Sequence, residues 1–305
     1  MANPPQKPRA TPDVRFVFHP EQDATYIHFE HAGNAFDPAA TRLGRLNGWW
    51  LSDAALLAYW RPAEALERFK AAGLQAEAME AGGLDAYVAW TDAFVIVAFR
   101  GTQPDQWSDV LDDALLRQEP WEHGPGFVHR GFKAALDRVW GAMSVRLNEL
   151  GTSRSVWFSG HSLGAALATL AAARFPNTSG VLTLGSPRVG DATFVAEFDR
   201  RFSGRSLRYV NDTDIVTHVP PPIPIPSRYD HVGALRQITR DGEVTSSRPR
   251  LDHFFLEVFG DTAHLQEVVQ GLQRGNLTRA PKFLLDHMPR GYAVDIWNDY
   301  ARRGD

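Results

Sequence analysis

The sequence predicts an α/β fold, with a mainly parallel, doubly wound sheet covered by helices on both faces. Three observations predict it. Short apolar runs rich in β-branched and aromatic residues recur along the chain: AFVIVAF (93–99), SVWFS (155–159), VLTLGS (181–186) and SLRYV (206–210). Stretches of helical periodicity, such as DATFVAEFDRRF (191–202), lie between them. One run passes directly into a Gly-x-Ser-x-Gly pentad and an alanine-leucine tract, in SVWFSGHSLGAALATLAAA (155–173). Runs that are apolar at successive positions suit strands buried on both faces, and strands alternating with helices imply the crossover connections of a parallel sheet.

The elements follow in order. MANPPQKPRATPDV (1–14) is proline-rich and reads as a flexible N-terminal tail, leaving 15–305 as a single domain without internal repeat or linker. LSDAALLAYWRPAEALERFKAAG (51–73) suggests two helices broken at Pro62, with Ser52 or Asp53 as N-cap and Gly73 as the stop. DAYVAWTD (85–92) alternates, as a half-buried strand does, and leads into the buried strand 93–99. Trp107, Val110, Leu111, Ala114 and Leu115 repeat at helical spacing, with Ser108, Asp109, Asp112 and Asp113 opposite, which is the pattern of an amphipathic helix. VPPPIPIPS (219–227) favours a stiff extended loop, VGALRQIT reads as the last strand, and the polar residues 240–251 read as loop.

Composition narrows the function. A net charge of -4 and no basic tract argue against nucleic acid as a partner. The longest apolar stretches, 93–99 and 163–173, fall well short of the roughly 20 residues needed to cross a bilayer, so no transmembrane segment is expected. The N-terminal residues lack the apolar core of a signal peptide, which points to the cytoplasm, with a secreted mature form as the alternative. The chain contains no cysteine, so disulfides, a thiol nucleophile and thiolate zinc sites are excluded. The histidines of HFEH (28–31) lack a third ligand type nearby; no metal site and no cofactor is assigned.

The pentad carries the chemistry. A sharp strand-to-helix turn lifts one side chain above a sheet but forces its backbone into strained dihedrals, and the residues two positions away must be small for strand and helix to approach. Gly160 and Gly164 meet that need around Ser162, and Ala165, Ala166, Ala168 and Ala171 to Ala173 allow close packing of the helix that follows. A serine hydroxyl needs a base within hydrogen-bond reach and a third group to orient that base. In an open α/β sheet the acid belongs at the carboxyl end of a later strand, and both Asp212 and Asp214 stand just beyond SLRYV. His218, His231, His253, His264 and His287 all follow; a base on a loop after the last strand leaves His253 and His287.

Read together, the segments resemble the class 3, fungal-lipase-like family of α/β-hydrolases over most of residues 85–300. The marks are AFRGT (98–102), VHRGF (128–132), GHSLGAALATL (160–170), TLGSPRVGD (183–191), VNDTDIVTHVPP (210–221), YDHVG (229–233) and LLDHMPRGY (284–292). Ala165 departs from the third glycine of many members, and the first 84 residues carry little of the likeness. The resemblance implies a lipase or carboxylesterase acting on lipid esters through an acyl-enzyme on Ser162. It implies Asp214 as the acid, following Asn211, with Asp212 a capping or turn residue, and His287 as the base, with Tyr292 in the expected place. It also implies an oxyanion hole from the N–H groups of Leu163 and Thr102, a structural role for His129, and a lid over the serine formed by the helix after Thr102. A plain surface helix would show the same periodicity as such a lid. An acyltransferase or phospholipase with the same residues, and a lipid-surface protein without turnover, are the rival functions; transient contact with a lipid interface fits all of them.

Overall fold

The computed structural model describes residues 4–9, 11–81, 84–101, 117–220, 228–247 and 281–305. The strands are β1 (Gln75–Ala81), β2 (Leu84–Trp90), β3 (Phe94–Phe99), β4 (Gln118–Pro120), β5 (Phe127–His129), β6 (Ser155–His161), β7 (Thr178–Leu184), β8 (Gly190–Asp191), β9 (Ser206–Asn211), β10 (Tyr229–Asp230), β11 (Ala234–Ile238) and β12 (Val244–Thr245). The helices are α1 (Val14–Phe18), α2 (Arg45–Leu57), α3 (Pro62–Ala71), α4 (Arg130–Leu150), α5 (Leu163–Arg174), α6 (Ala192–Arg201), α7 (Lys282–Leu285) and α8 (Pro289–Arg303).

The main sheet runs in the order β1-β2-β3-β6-β7-β9-β11-β12. Neighbours from β3 to β11 are parallel, while β1 and β2 at one edge and β12 at the other are antiparallel. This is the mostly parallel α/β sheet that the alternation of elements implied. Side chains of one strand divide between two cores: Ile96 and Ala98 of β3 face the layer of α2, α3 and α8, whereas Val95, Val97 and Phe99 face α4, α5 and α6. Both faces are therefore buried, which is why AFVIVAF shows no polar alternation. A second, antiparallel sheet in the order β10-β8-β5-β4 was not visible in the sequence; its strands are two or three residues long, too short for a periodicity to register.

Three expectations need correction. The helix expected from residue 51 begins at Arg45, capped by Gly44, so Ser52 and Asp53 are not its N-cap. Residues Asn47 to Leu57 are buried around the whole circumference, which erases the polar face that would have marked the true start. Ser52 instead bonds the Trp49 carbonyl, and the Asp53 carboxylate accepts from the Tyr26 hydroxyl and the Phe29 amide. Pro62 at the first turn of α3 and Gly73, at φ 84°, act as expected.

Part of the N-terminal tail is tied down. Trp297 donates to the Pro5 carbonyl at 2.8 Å, Lys7 and Asn298 exchange two hydrogen bonds, and Arg9 grips Asp295 with two 2.9 Å contacts. Prolines keep this segment extended, and its main chain borrows its partners from α8. Lastly, the polar stretch 240–251 contributes Val244–Thr245 as edge strand β12 after a turn at Gly242. Among the described residues, no helix is long and apolar enough to cross a membrane.

Candidate active site

Ser162 stands between the end of β6 and the start of α5, with φ 60° and ψ −129°. Few non-glycine residues adopt such a conformation, and it costs on the order of 1–3 kcal/mol, so the surroundings must enforce it. They do so through close backbone approach. A Cβ on Gly160 would lie 2.2 Å from the Gly164 carbonyl oxygen, and one on Gly164 would lie 2.3 Å from that of Phe99. The Ser162 amide is fixed to the Leu184 carbonyl of the next strand at 3.0 Å. Leu163 opens α5, so its N–H belongs to the first turn, where amides have no carbonyl partner inside the helix.

At the carboxyl end of β9, Asp214 lies 2.9 and 2.8 Å from Nδ1 of His287 through its two carboxylate oxygens. Both side chains are buried. The same carboxylate accepts from the Val216 amide at 2.9 Å and from the Tyr292 hydroxyl, whose oxygen in turn accepts from the Asn211 amide. Three donors thus meet a buried acid, the condition under which burial of a charge is tolerated. Burial, followed by the charge of Asp214, raises Tyr292 well above the ordinary phenol range, so it remains a donor. Asp212 faces away, its carboxylate on Lys282.

Of the other histidines, His231 bonds the Thr217 carbonyl, and the main chain of His218 is gripped by Arg188, which also holds Pro220. His129 caps α4 by accepting from the Phe132 amide, the structural role expected of it. His28 packs edge-on against Tyr26 and Trp60, and His31 stacks on Trp297 at 4.1 Å, so both of those rings are used in aromatic packing. His253 and His264, the oxyanion candidate Thr102, and the lid candidates Trp107, Val110, Leu111 and Leu115 lie outside the described residues.

Three contributors were not singled out beforehand. Gly185, at φ 55°, lies under the acid and base: a Cβ there would be 2.6 Å from Asp214 Oδ2 and 3.0 Å from the His287 ring. His161 lies against His287 with ring centroids 4.3 Å apart. Burial, and then His287, depresses its pKa well below the ordinary range and keeps it neutral. Tyr59 bonds His161 Nδ1 at 2.8 Å and crowds Gly101, where a Cβ would fall 2.0 Å from its hydroxyl. The strand end at Arg100-Gly101 is therefore registered against the residue before Ser162. Only the motif TLGSPRVGD hinted at Gly185; Tyr59 lies 102 residues from its partner and left no local signal.

The geometry is a strained strand-to-helix turn at Ser162 whose preceding residue, His161, packs against the acid–histidine pair. Residues 96–223 match the model of the lipase (class 3) family. Among similar proteins, Lipase ZK262.3 of Caenorhabditis elegans is 29% identical over 144 residues, 44% of this chain and 40% of that protein. Phospholipase A1-II 3 of Oryza sativa subsp. japonica is 32% identical over 162 residues, 42% of this chain and 39% of that protein. The secreted mono- and diacylglycerol lipase LIP4 of Malassezia restricta is 32% identical over 142 residues, 42% of this chain and 47% of that protein. The chain thus spans less than half the length of these curated relatives. Its fold resembles that of the Rhizomucor miehei lipase propeptide complex, with TM-score 0.52, 20% identity, and coverage of 81% of this chain and 90% of that one. For the lipase of Rhizopus microsporus var. chinensis the values are 0.50, 24%, 66% and 77%. The architecture is that of the α/β-hydrolases.

Proposed function

We propose that the chain is a lipase of the class 3 family, a serine carboxylic ester hydrolase acting on acyl esters of glycerolipids. The observation that carries the proposal is a strained, glycine-flanked Ser162 at a helix N-terminus, directly after His161, whose ring lies 4.3 Å from that of His287 in the buried Asp214–His287 pair. In this reading Asp214 holds the proton of His287 on Nδ1, leaving Nε2 to act as base. Ser162 Oγ attacks the ester carbonyl as Nε2 takes its proton, and the resulting oxyanion is met by the Leu163 and Thr102 amides. Collapse expels the alcohol, which leaves with the proton from Nε2, and an acyl group remains on Ser162. Water repeats the steps and releases the acid. No cofactor enters the scheme.

Both triacylglycerol-type and phospholipid substrates are open to this chemistry; the rice phospholipase A1 relatives and the Malassezia mono- and diacylglycerol lipase support one each. That relative's description as secreted also favours the secreted alternative over a cytoplasmic location. The test is hydrolysis of short- and long-chain p-nitrophenyl esters, triglyceride and phosphatidylcholine. Ser162→Ala and His287→Ala are expected to lose roughly 10⁴-fold or more in turnover, whereas His253→Ala stays active. A His253→Ala variant that loses turnover while His287→Ala keeps it would move the base, and full activity in Ser162→Ala would end the proposal.

A further inference from the structure

If the acid and base act as proposed, a pair separated by 73 residues in sequence must be held at 2.8 Å by something other than local chain geometry. One ionic cluster bridges the residues beside them. Lys282, the first residue of α7, places its ammonium 2.5 Å from Asp212 Oδ2 and 2.8 and 2.6 Å from the two carboxylate oxygens of Asp286. Asp212 precedes the acid by two residues, and Asp286 immediately precedes the base. The link is doubled without the lysine: Asp286 Oδ2 accepts from the amide and hydroxyl of Thr213 at 3.1 and 2.6 Å, and the Asn211 side chain donates to the Asp286 carbonyl at 2.9 Å. Three consecutive residues before Asp214 are therefore attached to the residue before His287 or to its cation.

An exposed ion pair ordinarily contributes little, because water solvates both partners and two flexible side chains must be held. Two features set this one apart. The carboxylates are well shielded, with side-chain exposure of 19% for Asp212 and 12% for Asp286, so the lysine meets groups already ordered. Burial raises Asp286 above the usual carboxylate range against the opposing pull of Lys282 and Thr213, consistent with an anion that needs its partner. Asp212 is also held at φ 36°, a left-handed backbone that non-glycine residues adopt only where the surroundings enforce it.

We propose that Lys282, Asp212 and Asp286 form an ionic clasp that positions the Asp214 loop against the His287 turn. Lys282 is a positioning residue: no contact places it on the reacting serine. Its loss is expected to loosen the acid–base geometry and lower kcat while leaving KM unchanged.

The experiment uses the full chain and a soluble neutral ester, p-nitrophenyl butyrate, with active sites counted by a serine-directed phosphonate so that misfolded protein does not enter kcat. Lys282→Met is expected to lose roughly tenfold in kcat with KM unchanged, the scale on which displaced catalytic groups act. Lys282→Arg is expected to retain most of it. Raising NaCl from about 0.02 M to about 1 M should lower wild-type kcat several-fold and leave Lys282→Met unaffected. In parallel, the downfield proton NMR signal of the His287 Nδ1–H bond to Asp214 should weaken or move upfield in Lys282→Met and persist in Lys282→Arg. A Lys282→Met variant with wild-type kcat and an unchanged downfield signal overturns the clasp, as does a tenfold loss whose salt response matches wild type. The NMR arm requires no turnover, so an inert wild type would refute the hydrolase reading while the clasp is still judged by the signal.

Discussion

Ser162 is where the chain spends conformational energy. Its φ of 60° is a glycine-like setting imposed by the approach of β6, α5 and β3. Ser162→Gly should therefore abolish hydrolysis yet be at least as stable as wild type. Relief of strain, about 1–3 kcal/mol, exceeds or matches the 0.5–1 kcal/mol entropic cost of an added glycine. Urea denaturation measures this, and a loss of more than 1 kcal/mol would mean that the serine side chain stabilises the elbow. Residue roles were legible to different degrees for physical reasons. Ser162 announces itself through two glycines that a close turn requires. Asp214 and Asp212 are both short acids after one strand; local pattern does not separate them, the resemblance favours Asp214, and in the structure Asp214 bonds His287 while Asp212 meets Lys282. Tyr59 and Lys282 act across long sequence separations, so no local pattern could reveal them.

Among elements, α2 shows how burial hides a boundary. A helix enclosed by the sheet and α8 needs no polar stripe, so the sequence carries no change of polarity that marks its start at Arg45. Its enclosure has a cost that can be measured. Burial pushes the Asp53 carboxyl up to about 6 from its ordinary 3.8, against the pull of Lys7 and of the Tyr26 and Phe29 donors. Between these values the folded chain holds a proton that the unfolded chain has released. Stability from this group is accordingly greatest below 3.8 and falls as pH rises through about 6. The total is about 3 kcal/mol, from roughly two pKa units at 1.36 kcal/mol each. His28, buried and depressed well below its usual pKa, works in the opposite direction at low pH, but it is common to wild type and Asp53→Asn and cancels in their difference. That difference in unfolding free energy should shift by about 2 kcal/mol in favour of wild type from pH 7 to pH 4, the remainder appearing at lower pH. A difference that is flat with pH would show that Asp53 titrates normally in the fold.

For the molecule as a whole, the parallel order β3-β6-β7-β9-β11 brings the ends of β6 and β9 to the same edge, so that residues distant in sequence share one site. This much was legible, because strands buried on both faces and intervening helices leave strong periodicities. The small antiparallel sheet and the docking of residues 5–9 on α8 were not, since they depend on tertiary partners rather than on local pattern. Under the proposed function, this scaffold activates one serine above all others. The most direct measurement is exposure of the intact chain to a serine-directed phosphonate, followed by peptide mapping and assay of residual p-nitrophenyl ester hydrolysis. Stoichiometric label on Ser162 with parallel loss of hydrolysis is the predicted result; label on another serine, or full activity with Ser162 modified, would contradict it.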